Sequence, residues 1–161
     1  MWQTVTLEPQ GTPSVTVDSL EVRIPLTPDS ASLMHWLSGG IPFRDPTAVW
    51  IGATSTQEGL IFRSNDRTKV KAPPAEYCET PGSWMPYMLL TGDKRGLTWF
   101  AENNEGWTES MEKPALRIER SKDRVELILH VITDPVDVKE ARRFSFGLQP
   151  IPFKKIDPKW R

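Results

Sequence analysis

The chain has 161 residues, of which 38% are hydrophobic and 25% charged, and these values indicate one folded domain rather than a disordered segment. The formal net charge of -1 leaves no basic excess to neutralise a phosphate backbone, which argues against a nucleic-acid partner. No apolar run approaches the roughly 20 residues that a membrane-spanning helix needs.

The amino-terminal segments alternate between polar and apolar residues, as strands do. Met1–Thr6 has this alternation and does not read as a signal peptide. In Ser19–Leu26 the apolar residues occupy every second position and share one face. Val15 and Val17 have the opposite parity, so we expect a bulge or a bend at Asp18-Ser19.

Pro28–Gly40 is the best candidate for a helix in this chain. Asp29 or Ser30 is suited to cap its start, and Gly39 is suited to close it. The apolar residues between them would hold a helix of about two turns against an edge or an end of a sheet.

The middle of the chain predicts two hairpins separated by a loop. Val49–Gly52 leads through a polar turn to Gly59–Arg63, and Tyr87–Leu90 leads through a glycine-bounded turn to Gly96–Phe100. Lys69–Ser83 is rich in Pro, Lys and Glu and is typical of a long loop.

The last third predicts three more strands. Pro114–Arg120 is expected to pair with Arg124–Ile132 through a turn at Ser121–Asp123. The second of these strands is apolar on both parities, which favours a central position in its sheet. Arg143–Gln149 is the final strand.

Many short strands, frequent turn signals and 15 prolines indicate an all-β fold, an antiparallel β-sandwich with at most one or two short helices. Residues 1–150 are expected to form this domain. Residues 151–161 carry alternate prolines and are expected to form an extended tail, a linker to a following domain.

Few residues in the sequence are suited to catalysis. The two histidines, His35 and His130, lie in no recognisable nucleophile motif, and structural roles are favoured for both. Cys78 is the only cysteine, which excludes an internal disulfide and leaves the compartment open, an extracytoplasmic one included. These three residues give no spacing for a metal site, and no phosphate-binding or dinucleotide motif is present, so no cofactor is predicted.

Acidic residues cluster around the segment Trp99–Trp107. Paired carboxylates are the usual groups of glycoside hydrolysis, in which one donates a proton and another stabilises or attacks the sugar cation. Two interpretations stand for this cluster: it lines a cleft, or it consists of solvated residues of turns and strand edges. The residues concerned are Glu102, Glu105, Glu109 and Glu112.

Seven tryptophans against two tyrosines suggest either sugar stacking or packing in a core or domain interface. Trp107 follows Gly106 in a turn and is the better candidate for exposure. The tryptophans considered for a ligand or interface role are Trp50, Trp84, Trp99 and Trp107.

Gly96–Trp107, which reads Gly-Leu-Thr-Trp-Phe-Ala-Glu-Asn-Asn-Glu-Gly-Trp, resembles a segment of the amino-terminal β-sandwich region of proteins related to glycoside hydrolase family 123. Those proteins carry a similar Gly-Leu-x-Trp-Phe-Ala-Glu segment followed by Gly-Trp. Arg142–Lys154 resembles the strand by which that sandwich leaves toward the next domain, and Ser19–Leu26 fits a third, weaker pattern. The likeness extends over about 15–161.

The resemblance implies a β-sandwich placed before a (β/α)-barrel that hydrolyses N-acetylgalactosaminides with help from the substrate and an adjacent Asp-Glu pair. This chain has no Asp-Glu doublet and is shorter than the roughly 250 residues of a barrel, so no catalytic residue is carried over. The expected function is that of a non-catalytic domain that supports a carboxy-terminal barrel. The alternative is a carbohydrate-binding module that uses exposed tryptophans, and a small stand-alone hydrolase is the third possibility.

Overall fold

The computed structural model describes residues 1–11, 14–37, 49–64, 87–108, 110 and 112–152, and only the backbone of residues 36, 37 and 49–52. No helix in these ranges has the length and apolar character needed to cross a membrane. The strands are β1 (Trp2–Leu7), β2 (Val15–Val17), β3 (Leu20–Leu26), β4 (Leu33–Leu37), β5 (Val49–Ala53), β6 (Gly59–Arg63), β7 (Tyr87–Thr91), β8 (Gly96–Phe100), β9 (Leu116–Arg120), β10 (Val125–Ile132), β11 (Val136–Val138) and β12 (Arg142–Ile151).

The strands form two large sheets and one small one. The six-stranded sheet has the order β1-β12-β8-β7-β4-β5, and the four-stranded sheet has the order β3-β10-β9-β6. Strands β11 and β2 form a separate pair. Every pairing is antiparallel. The predicted all-β antiparallel sandwich is confirmed.

One hydrophobic core lies between the two large sheets. Successive side chains of a strand point to opposite faces, so the alternating apolar residues of each strand turn to the same interior. The six-stranded sheet contributes Met34, Met88, Leu90, Trp99, Phe144 and Phe146, and the four-stranded sheet contributes Phe62, Leu116, Ile118, Leu127 and Leu129.

Two hairpins predicted from the sequence are confirmed. Strands β7 and β8 pair directly, and the amide of Gly92 donates to the carbonyl of Arg95 at 2.7 Å in their turn. Strands β9 and β10 also pair, with the amide of Ser121 donating to the carbonyl of Arg124 at 2.9 Å. Strand β10 lies between β3 and β9, in the central position that its apolar character predicts.

The helix predicted for Pro28–Gly40 is wrong. Pro28–Ser30 makes one short 3-10 turn, and Leu33–Leu37 is strand β4, which pairs with β5 on one side and β7 on the other. Adjacent apolar residues fit the helical and the extended period equally well in so short a segment. The backbone hydrogen bonds of two neighbouring strands decide for the strand, since local propensity is weak against tertiary pairing.

The hairpin predicted between Val49–Gly52 and Gly59–Arg63 is also wrong. Both segments are strands, but β5 pairs with β4 in one sheet and β6 pairs with β9 in the other. The change of parity at Asp18-Ser19 marks a similar change of sheet, because β2 pairs with β11 while β3 pairs with β10. The predicted loop Lys69–Ser83 and the tail after Pro152 lie outside the described residues.

Candidate functional site

The segment Gly92–Trp107, which the sequence singles out, is part of the packing of the sandwich. Trp99 is completely buried and Trp107 is 8% exposed, and their rings meet edge to face with centroids 6.1 Å apart. The expectation that Trp107 is exposed is therefore wrong. A buried indole has no free face for a sugar ring, so the structure favours the core interpretation for both tryptophans.

The segment Gly96–Trp107 and strand β12 lie side by side. Gly106 has a φ of 83°, and a Cβ there would overlap the carbonyl oxygen of Arg143. The ring of Trp107 packs edge to face on Phe144, with centroids 6.0 Å apart. The turn after β8 thus needs glycine to approach β12, and this approach places Trp107 in the core.

Three of the four candidate carboxylates belong to the described part of the chain, and all three are exposed. Glu102 and Glu105 are exposed in the turn after β8, where the amide of Glu105 donates to the side chain of Asn103 at 3.1 Å. Glu112 is exposed beyond that turn. This placement agrees with solvated turn residues. Trp84 and Glu109 lie outside the described residues, as does the side chain of Trp50.

Two grooves at the surface differ in the polarity of their walls. A groove of about 570 Å³ at one end of the sandwich is mainly apolar, with Ile24, Leu97 and Leu148 in its wall. A groove of about 470 Å³ beside Glu105 also contains Arg142. Neither groove contains a histidine, and no group of three His, Cys, Asp or Glu suited to a metal ion exists among the described residues.

The outer face of the four-stranded sheet carries a cluster of ionisable residues around His130. His130 on β10 pairs in register with Glu21 on β3. The Nη1 of Arg117 lies 2.7 Å from Nε2 of His130, and the His130 Nδ1 lies 3.5 Å from Oε1 of Glu21. A guanidinium only donates, so Nε2 accepts and the ring is neutral with its hydrogen on Nδ1, facing Glu21.

The same face continues as a network of ion pairs, which we call the charged face. Arg23 reaches Glu21 at 2.9 Å and Glu126 at 3.1 Å, and Arg117 reaches Glu119 at 2.8 Å. Each of these carboxylates has an arginine partner, so the cluster is held as structure rather than as a free acid and base. The alternating residues of paired strands predict such a face, but only the register shows which charges meet.

Ile128 lies in the middle of the charged face and is completely buried. Strand β10 lies between β3 and β9, and Ile128 is paired with Arg23 on β3 and with Arg117 on β9. Long arginine stems cover apolar surface while their guanidinium groups stay in water and bind carboxylates. The ion pairs therefore also shield this isoleucine from solvent.

Acidification should weaken the fold through His130. Burial lowers the pKa of His130 below its ordinary value, Arg117 and Arg23 lower it further, and Glu21 and Glu119 oppose them. As the pH falls below about 6.5, the unfolded chain takes up a proton that the folded chain refuses. We expect the free energy of unfolding to be highest above about pH 7 and to fall as the pH drops. The fall should stop once the pH is below the pKa that His130 has in the folded state.

Urea unfolding at a series of pH values measures this slope, and His130→Gln should flatten it. Arg117→Gln should raise the pKa of His130, followed by its imidazole resonances in NMR, because a positive neighbour is removed. An unchanged slope in His130→Gln would contradict this account.

The outer face of the six-stranded sheet has a different character, and we call it the aromatic face. Trp2 of β1, Gly147 of β12, Phe100 of β8 and Tyr87 of β7 are successive ladder partners, so they form one row across four strands. Among the outward-facing residues of this sheet whose side chains the structure describes, one is an arginine or a carboxylate residue. It is Arg143, near the start of β12.

Glycine at position 147 shapes this row. The ring of Phe100 lies directly over Gly147, where a Cβ would overlap it. The absence of a side chain lets Phe100 and Trp2 meet across β12, with ring centroids 6.0 Å apart and planes inclined by 51°. Trp2 is 50% exposed. Sequence reasoning missed this row because its members lie on four separate strands, and only the sheet order brings them together.

Comparison with known proteins adds no assignment. No protein-family model matches this chain, and neither a curated protein nor a solved structure does.

Proposed function

We propose that this chain is a non-catalytic β-sandwich domain of a glycoside-hydrolase-like protein, which supports a separate (β/α)-barrel domain. One observation carries the proposal: the residues of the resembling segments serve packing. Trp99 and Trp107 fill the core, and the absence of a side chain at Gly106 lets the turn lie against β12. In a supporting domain, the residues that resemble those of related proteins are expected to stabilise the fold rather than to bind a substrate.

The ionisable residues support the same proposal. Glu102 and Glu105 are exposed in a turn, and the contact between His130 and Glu21 belongs to a network already satisfied by Arg117. General acid–base catalysis needs a group within hydrogen-bond reach of a substrate proton in a site that excludes water. The charged face offers paired charges on a sheet surface instead.

An activity assay tests the proposal directly. We expect the purified chain to release no aryl alcohol from aryl N-acetylhexosaminides above the rate of a buffer blank, because hydrolysis would reside in the barrel. Glu102→Gln and Glu105→Gln serve as matched variants. Turnover by the chain that disappears in one of them would contradict the proposal.

The reading frame downstream of residue 161 gives a second test. A continuation into alternating strands and helices over about 250 residues would support a following barrel. The longer polypeptide should then unfold at a higher temperature than either part alone, because a domain interface stabilises both partners. A reading frame that continues into an unrelated domain would count against the proposal.

A further inference from the structure

We propose that the aromatic face carries a binding site for an uncharged oligosaccharide, centred on Trp2 and Phe100 where they meet over Gly147. This inference does not depend on a following barrel. Trp99 and Trp107 are buried and cannot stack on a sugar. The site proposed here for a carbohydrate consists instead of aromatic residues that reach the surface, of which Trp2 is 50% exposed.

The aromatic part of the site has the geometry of an open cradle. Trp2 and Phe100 are inclined to each other by 51°, and half of Trp2 is exposed. Tyr87 extends the row beyond Phe100, over three strand spacings of about 4.8 Å each from Trp2. The C–H face of a pyranose ring suits such aromatic surfaces, and the row is long enough for a short oligosaccharide rather than a single sugar.

Uncharged polar groups flank the aromatic pair along β12. Gln149 is exposed two residues after Gly147, on the same face of the strand. Ser145 lies two residues before it, and its hydroxyl is 2.8 Å from that of Thr4 on β1. Amides and hydroxyls both donate and accept hydrogen bonds, and sugar hydroxyls require partners of this kind.

The charge distribution selects the class of ligand. The two outer faces of the sandwich differ in charge. The charged face carries several arginine–glutamate ion pairs, whereas the described outward positions of the aromatic face carry one arginine, Arg143 near the start of β12. A sulfated or carboxylated glycan would need several cationic partners, whereas Arg143 is the one cationic side chain at the described outward positions and the ammonium of Met1 is engaged by the carbonyl of Leu148 at 2.7 Å. An uncharged glycan matches the aromatic rings, hydroxyls and amide that surround Gly147.

Titration of the chain with neutral trisaccharides tests the site. We expect at least one of cellotriose, maltotriose and triacetylchitotriose to bind at millimolar or lower concentration and to shift the indole resonance of Trp2 and the side-chain amide of Gln149 in NMR spectra. A sulfated oligosaccharide serves as the charged probe and should bind more weakly. Trp2→Ala should reduce affinity by about tenfold or more, and Trp2→Phe by less, because an aromatic surface remains.

Two further variants locate the site. Gly147→Ala should also weaken binding, because the new Cβ displaces the ring of Phe100. Leu60→Ala removes an apolar side chain that is 57% exposed on the four-stranded sheet, and it should leave affinity unchanged. Circular dichroism confirms that each variant is folded. Any of three results would overturn the proposal: no binding of the neutral probes, equal binding by Trp2→Ala, or coverage of Trp2 by a protein domain.

Discussion

Replacing Gly106 by alanine should destabilise the protein by about 3 kcal/mol, one of the two largest effects expected of a single substitution. Two costs add at this position. The φ of 83° is strained for a residue with a side chain, and the Cβ would overlap the backbone carbonyl of Arg143, which cannot rotate away as a side-chain tip can. Urea unfolding followed by far-ultraviolet circular dichroism measures the change.

Two other glycines separate the two costs. Gly59 has a φ of 106° with open space around it, so Gly59→Ala should cost about 1–2 kcal/mol from backbone strain alone. Gly92 has no left-handed φ, but a Cβ there would overlap the carbonyl of Asp29, so Gly92→Ala should show the steric cost alone. An effect at Gly106 no larger than at Gly59 would show that the turn does not press on β12.

Truncation of Trp99 to alanine should cost about 3–5 kcal/mol, because it empties the centre of the core. Trp99 is completely buried and touches Trp107, which in turn packs on Phe144. The free energy of unfolding from denaturant titration gives the measurement. The double variant with Trp107→Ala should lose less than the sum of the single changes, since neighbours that share a contact are not independent.

Trp2→Ala is the matched control, because it removes the same side chain from a half-exposed position on an edge strand. Its cost should be about 1 kcal/mol. A comparable loss of unfolding free energy in both variants would mean that Trp99 does not fill the core. The same comparison helps to interpret the glycan titration. Loss of binding in Trp107→Ala would result from damage to the core, whereas loss of binding in a folded Trp2→Ala variant would locate the binding site at Trp2.

The candidate sites could be predicted only in part. The sequence marks Gly96–Trp107 as an unusual segment, and the structure explains it by the packing of Gly106 and Trp107 against β12. The sequence does not distinguish a buried tryptophan from an exposed one in a turn. A glycine before Trp107 predicts a turn at the surface, yet the absence of a side chain at Gly106 is what lets the turn approach β12 and bury Trp107.

The sequence by itself determined that this chain is an antiparallel sheet protein, because the period of two in β3, β9, β10 and β12 is a local property of each segment. The tertiary structure alone decided which sheet each strand joins. It made Leu33–Leu37 a strand and separated β5 from β6, through backbone hydrogen bonds between segments far apart in the chain. The aromatic face and the charged face arise in the same way, since residues on different strands become neighbours only when the register is set.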